Sequence, residues 1–296
     1  MPSLAGKTIL ITGGNRGIGY AIGLRCAKAE ANIVIVAKEK LAQDSSASIY
    51  KVTEQMIAAG GKALPLDVDV SDKDAIKSAV SATVTQFGGV DILINNVSTF
   101  CFTDTLNTSP EQFDLLCSVN VRATFLMSQA CIPLLKQAAN PHIINISPPL
   151  DMDSRWFKNH LLFTMSKYGM SMCTLGMAAE FQSAGIAVNS LWPQTTIATT
   201  TIKDHMLPEV YAGSRWPTIM ADAAYELLQR NARQCTGNFF TDEELLREAG
   251  INDFSHYAVD PNAPLVQDLF IPQGKTHNTS LGRPLVKELF VEQNDK

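Results

Sequence analysis

No block of lysine or arginine interrupts this 296-residue chain, and its formal net charge is −5. That balance argues against nucleic acid or an anionic membrane as partner and leaves a small-molecule substrate as the expectation. CxxC pairs and metal-ligand spacings are also missing. Cys26, Cys101, Cys117, Cys131, Cys173 and Cys235 are scattered, which reads as reduced thiols of a cytoplasmic protein with no metal site. Met1 to Lys7 is too short and polar for a signal peptide, no apolar run approaches the length of a membrane span, and Asn294-Asp295-Lys296 is no peroxisomal address. Repeats and low-complexity tracts are absent.

What is present starts with Thr12-Gly13-Gly14-Asn15-Arg16-Gly17-Ile18-Gly19, which follows the apolar run Lys7-Thr8-Ile9-Leu10-Ile11. A buried strand feeding a glycine-rich turn and then a helix offers backbone N–H groups and the positive end of the helix dipole to a phosphate. The expected ligand is a dinucleotide. Strand-like runs near Thr8–Thr12, Asn32–Ala37, Ala63–Asp67, Asp91–Asn95, His142–Ser147 and Ile186–Leu191 alternate with helical patterns. Such alternation predicts an α/β doubly wound parallel sheet, a Rossmann fold, with ligands beyond the carboxyl ends of the strands. Further on, Trp216 to Leu228 reads as a helix, Asn238-Phe239-Phe240 as a last strand and Asp242 to Glu248 as a short helix. The expected organisation is a nucleotide-binding domain over 1–240, a packed extension over 241–275 and a flexible tail over 276–296.

An NAD site carries a carboxylate about 20 residues beyond the glycines to bond the ribose hydroxyls. Ala37 and Lys38 stand there instead, with Glu39 behind them. Lys38 and Arg16 together suit a 2′-phosphate, so NADP(H) is the expected cofactor, and Glu39 keeps NAD(H) as the lesser option. Asp69-Val70 follows the third strand, where a carboxylate accepts from an adenine amino group, although Ser71-Asp72 also reads as a helix start. Asn120 lies inside a long helix between Val119 and Val121, a position that propensity disfavours, so a local kink or a water relay is expected.

Taken together, Thr12-Gly13-x-x-x-Gly17-Ile18-Gly19, Asp69-Val70, Asn95-Asn96, Asn120, Asn145-Ile146-Ser147, Lys167 and Trp192-Pro193 resemble the ordered motifs of the short-chain dehydrogenase/reductase family over about residues 5 to 200. The resemblance implies an NADP(H)-dependent oxidoreductase acting on a small apolar carbonyl or imine. It assigns cofactor binding to Gly13, Asn15, Arg16, Gly17, Ile18, Gly19, Lys38, Asp69, Val70, Asn96, Lys167 and Pro193, and the catalytic positions to Asn120, Ser147, Phe163 and Lys167. Three departures stand out. The family's acid, a Tyr four residues before the Lys, is Phe163; the second residue of the usual Ser-Ser pair is Pro148; and the Pro-Gly after the sixth strand is Pro193-Gln194. Tyr168 is a poor substitute, because one helical step turns it about 100° from the face of Lys167.

Several readings stay open on the sequence. One is a working oxidoreductase whose acid comes from substrate, water or a loop residue such as His160. Others are a non-catalytic NADP-binding protein, a cofactor-templated cyclase, and a Tyr-to-Phe variant of a carbonyl reductase. Asp153-Ser154-Arg155-Trp156 resembles the Asp-x-x-Trp of Tyr-less reductases that act on iminium ions, for which Asp151 and Asp153 would favour the cation. A homo-oligomer is compatible with all of these.

Overall fold

The computed structural model describes residues 3–39, 47–272 and, as backbone, 281–284. Strands β1 (Thr8–Thr12), β2 (Asn32–Ala37), β3 (Lys62–Asp67), β4 (Ile92–Asn95), β5 (His142–Asn145), β6 (Ala187–Trp192) and β7 (Phe239–Thr241) form one seven-stranded sheet in the order β3-β2-β1-β4-β5-β6-β7. Every pairing in it is parallel. The reversal of order between β1 and β4 creates the crevice where such sheets bind ligands. The β5 ladder ends early because Ser147 N–H turns back onto Asn145 O.

Alternation along the strands divides the core. Ile9, Ile11, Ile33, Ile35 and Ile144 face α1 (Gly17–Ala27), α2 (Ile49–Ala58) and α9 (Thr218–Leu228), meeting Ile22, Met56 and Leu227. Leu10, Val34, Leu93 and Ile143 face α3 (Lys73–Phe87), α5 (Ala123–Leu135) and α6 (Leu161–Glu180), meeting Val80, Met127 and Met177. Each fully buried Ile or Leu contributes roughly 1.5–3 kcal/mol, which fixes the register of every strand. As the sequence suggests, Asp72 caps α3, accepting from the Asp74 and Ala75 N–H groups. Helix α10 (Asp242–Glu248) opens with a Thr241/Glu244 capping box and sends Leu245 and Leu246 into the first cluster. The expected extension thus begins inside the main core.

One expectation needs correction. Helix α4 (Pro110–Leu116), a π-helical segment at Cys117–Arg122 and α5 form a continuous 26-residue run, Pro110–Leu135, that by length and composition is apolar enough to cross a membrane. Here Ala123, Met127, Cys131 and Leu135 of that run pack against the sheet, and core helices of globular folds meet the same criterion. Leu281–Pro284 forms strand β9, paired in parallel with β8 (Leu265–Gln267). The remainder of 273–296 lies outside the described residues.

Candidate active site

The end of β1 is locked to the end of β4. Thr12 Oγ1 accepts from the Asn96 and Val97 N–H groups at 3.0 and 3.1 Å, and Asn96 Nδ2 donates to Thr12 O and Gly13 O. Gly13 has a φ of 65°, open to glycine without cost. A Cβ on Gly19 would approach Asn96 Nδ2 and Gly13 O at 2.5 Å, so only glycine lets α1 start against the turn. The loop after β6 closes over the same place, since a Cβ on Gly17 would meet Thr199 at 3.2 Å. Arg16 is exposed, extended at φ −156°, and makes no side-chain cap on α1, which leaves the first-turn N–H groups facing outward for an anion. Ile18 packs on the α1 side of the core, and the Asn15 amide donates to Ala47 O, so both act by shaping the turn.

At the end of β2, Lys38 is exposed and pairs with Asp69. Asp69 also accepts from the Ser71 N–H and hydroxyl at 2.9 and 2.7 Å. Burial pushes its carboxyl up, but Lys38 and Ser71 outweigh that and hold it at about 2. Both oxygens are thus engaged, and Val70 is buried beside α3. Glu39 is turned away from the sheet edge: its carboxylate accepts from Ile49 N–H, at the start of α2, at 2.9 Å.

Of the four residues expected to be catalytic, two are consumed by the fold. Asn120 is the kink of the long helix: it lies in the π-helical segment, where its Oδ1 accepts from Thr99 N–H and its Nδ2 donates to Thr99 O and Ser166 Oγ. Every amide atom has a protein partner, so it clamps the loop after β4 to α6. Ser147 is fully buried, its hydroxyl 2.8 Å from Ser190 Oγ, which continues to Thr174 and Asn145. Pro148 follows Ser147, whose side chain points into the β5–β6 seam. Lys167 is buried and donates to Ile146 O at 2.8 Å, with Nζ 5.0 Å from the Trp192 ring. Burial lowers its pKa to about 7, opposed by Asp268. Phe163, one helical turn earlier, is 7% exposed and has no proton to give.

Phe163 packs in a buried aromatic cluster that would wall the substrate chamber expected at the carboxyl ends of the strands, with Phe102 at 5.0 Å and Phe270 at 6.0 Å between ring centroids. Phe270 was not visible from sequence as a site residue. It arrives because the segment after β8 is stitched to the β6 end: Thr196 N–H donates to Val266 O, Asp268 N–H to Gln194 O and Trp192 Nε1 to Leu269 O. Its positive φ of 65° on a bulky side chain is uncommon, held by complete burial among Trp156, Tyr168 and Trp192. Asp268, beside it, is raised to about 7 by burial, which Leu269 N–H and Lys167 counter. Tyr168 spends its hydroxyl on Asp151 O, and burial raises it to about 12. Asp151 and Asp153, expected to favour a cation, both pair with Arg155, and Asp151 also accepts from Trp156 Nε1. They offer no free carboxylate for an iminium ion.

A nicotinamide dinucleotide fits these residues. The glycine cradle lies beside outward N–H groups, and the buried Gln194 Nε2 and Thr195 Oγ1 just past β6, with Asp242 Oδ2 just past β7, have no hydrogen-bond partner, next to Pro193, buried at the β6 end. Residues 7–207 match the family model described as short chain dehydrogenase. The chain is 49% identical over 271 residues to hydroxysteroid dehydrogenase-like protein 2 of Rattus norvegicus, covering 91% of this chain and 51% of that protein. To the Homo sapiens protein of that name it is 48% identical over 271 residues, 91% of this chain and 64% of the relative. The chain thus spans between half and two-thirds of these relatives. A crystal structure from Xanthomonas campestris superposes with a TM-score of 0.88 at 47% identity, covering 92% of this chain and 100% of that one. A metagenomic short-chain oxidoreductase in complex with NADP superposes at 0.67 with 25% identity, over 81% of this chain and 98% of its own. With the sheet order, the glycine cradle and the buried Lys167 already in place, these matches establish that the chain belongs to the short-chain dehydrogenase/reductase family.

Proposed function

We propose that this protein is an NADP(H)-dependent oxidoreductase acting on a small apolar carbonyl compound or the corresponding alcohol. The observation that carries the cofactor preference is the withdrawal of Glu39 onto Ile49 N–H, which leaves Arg16 at the turn and Lys38, shared with Asp69, as the cations facing the β2 end. A bound nicotinamide supplies or takes up the hydride. The chain's own residues do the rest: the glycine turn and α1 bind phosphate, Asn96 holds the turn rigid, Lys167 is placed for a ribose hydroxyl, and the Phe102, Phe163 and Phe270 rings exclude water. In this reading residues 1–240 hold the cofactor and 241–275 close the substrate side. Six free cysteines, with Cys26 and Cys131 pushed up to about 12 by burial, suit a reducing cytoplasm. Calorimetric titration tests the preference: NADPH should bind more tightly than NADH, and equal affinities would remove its basis.

One observation favours a second reading. Phe163 has no proton and Phe270 fills the chamber beside it, as a cofactor-binding protein without turnover would have. Single-turnover spectroscopy with NADPH and a ketone panel, or NADP⁺ and an alcohol panel, separates the two, because the non-catalytic reading allows no oxidation or reduction of bound nicotinamide.

A further inference from the structure

His160 stands at the N-cap of α6, three residues before Phe163, and is 9% exposed as a residue. It packs edge-on against Phe102, Phe163 and Phe270 at centroid distances of 6.0, 6.2 and 6.1 Å. Its Nδ1 lies 3.0 Å from Thr164 Oγ1. The Thr164 hydroxyl has one proton, and that proton goes to Trp156 O. A carbonyl cannot donate, so the Thr164 oxygen can only accept from the ring, and Nδ1 must carry the ring proton. The neutral imidazole therefore carries its lone pair on Nε2.

Several charged and titratable groups lie near the aromatic cluster. The Asp151–Arg155 pair stands behind Trp156, Lys167 and Tyr168 lie further along α6, Asp268 comes from the segment after β8, and His205 packs on Phe100. None of them governs His160: burial lowers its pKa below the ordinary histidine value, opposed only by a backbone hydrogen bond. The ring is thus neutral at physiological pH.

We propose that His160, through Nε2, is the catalytic base of this Tyr-less site, and that the site is set for oxidation of an apolar secondary alcohol bound against Phe163. The inference rests on the NADP(H) reading above. The alcohol O–H proton passes to Nε2 while its carbon-bound hydrogen leaves as hydride to NADP⁺; the C–O bond becomes C=O. The products are a ketone, NADPH and a doubly protonated imidazole, which returns its proton to water. Reduction needs the doubly protonated ring at the outset, and that species becomes scarcer as pH rises above the lowered pKa. The sequence expectation of His160 as an acid therefore holds only on the acidic side.

The test uses the full chain labelled with ¹⁵N-histidine and long-range ¹H–¹⁵N NMR, with His160 assigned among the five histidines by His160→Gln. Nδ1 should be the protonated nitrogen, and Thr164→Val should release that preference. Adding NADP⁺ with cyclohexanol, 1-phenylethanol or 2-decanol should move the Nε2 resonance. Alcohol oxidation should rise with pH along the NMR titration of His160. His160→Gln should lower it by roughly 10² to 10⁴, and Phe163→Tyr in that background should restore turnover without the histidine midpoint. A proton on Nε2 of the neutral ring, or an unmoved Nε2 resonance with all three alcohols while NADP⁺ binds, overturns this proposal alone. Failure of NADP⁺ to bind, read by Trp fluorescence, overturns the cofactor reading and this one together.

Discussion

Phe163→Tyr adds one hydroxyl to a ring already held in place. Phe163 is 7% exposed and sits 5.0 Å from Phe102, so the new oxygen enters an apolar chamber one helical turn from Lys167. Left without a partner, it would cost about 1–3 kcal/mol of stability and lower the Tm by a few degrees. Bonded to a ribose hydroxyl or to the lone pair of His160, it would cost little. Lys167, near pKa 7, is about half charged at neutral pH and would depress the phenol's pKa only in its charged form. The gain in ketone reduction should therefore fall as pH rises through about 7. In size it should approach roughly 10²-fold, the lower end of what a positioned acid contributes. NADPH consumption with a ketone panel measures the gain, and NADPH titration should show affinity unchanged. Turnover within about twofold of the unmodified chain, against the 10² to 10⁴ of a working acid, would refute the view that the chamber keeps reductase geometry.

Lys38→Asp should move cofactor preference toward NADH by about 1–2 kcal/mol, the scale of a charge-assisted hydrogen bond, as read by paired NADPH and NADH titrations. Burial raises Asp242 from 3.8 to about 7. Its proton stabilises the fold fully below about pH 4, and the contribution is lost as pH rises through about 7. Asp242→Asn keeps the oxygen that accepts from Gln194 and Glu243, so its Tm relative to the unmodified chain should climb between those limits; a constant difference would refute the shift. Phe270→Ala should cost about 3–5 kcal/mol in denaturant unfolding and admit bulkier substrates, unless the chamber collapses onto Phe163. Phe125, Met165, Met172 and Leu175 are exposed on α5 and α6; if they meet a second copy of the chain, Met172→Glu should shift the mass seen by light scattering from oligomer to monomer.

The nucleotide half was legible because its demands are local. A strand of period two, glycines where the backbone needs positive φ or close approach, and a helix of period 3.6 are written within a few consecutive residues. So were the sheet strands, the cations Arg16 and Lys38, the missing phenol at Phe163 and the disturbance of the helix at Asn120. Side-chain partners were not legible in the same way. That Glu39 caps α2, that Ser147 turns to Ser190, that Arg155 takes both Asp151 and Asp153, and that Phe270 reaches Phe163 all depend on loops meeting in space. The amino-acid sequence by itself determined the doubly wound sheet, the dinucleotide cradle and the loss of the family's acid. The tertiary structure alone decided which of the remaining polar groups stay free. The tautomer of His160 shows why: it is set by one Thr164 proton committed to Trp156 O, and a hydrogen bond has a direction only once both of its partners are in place.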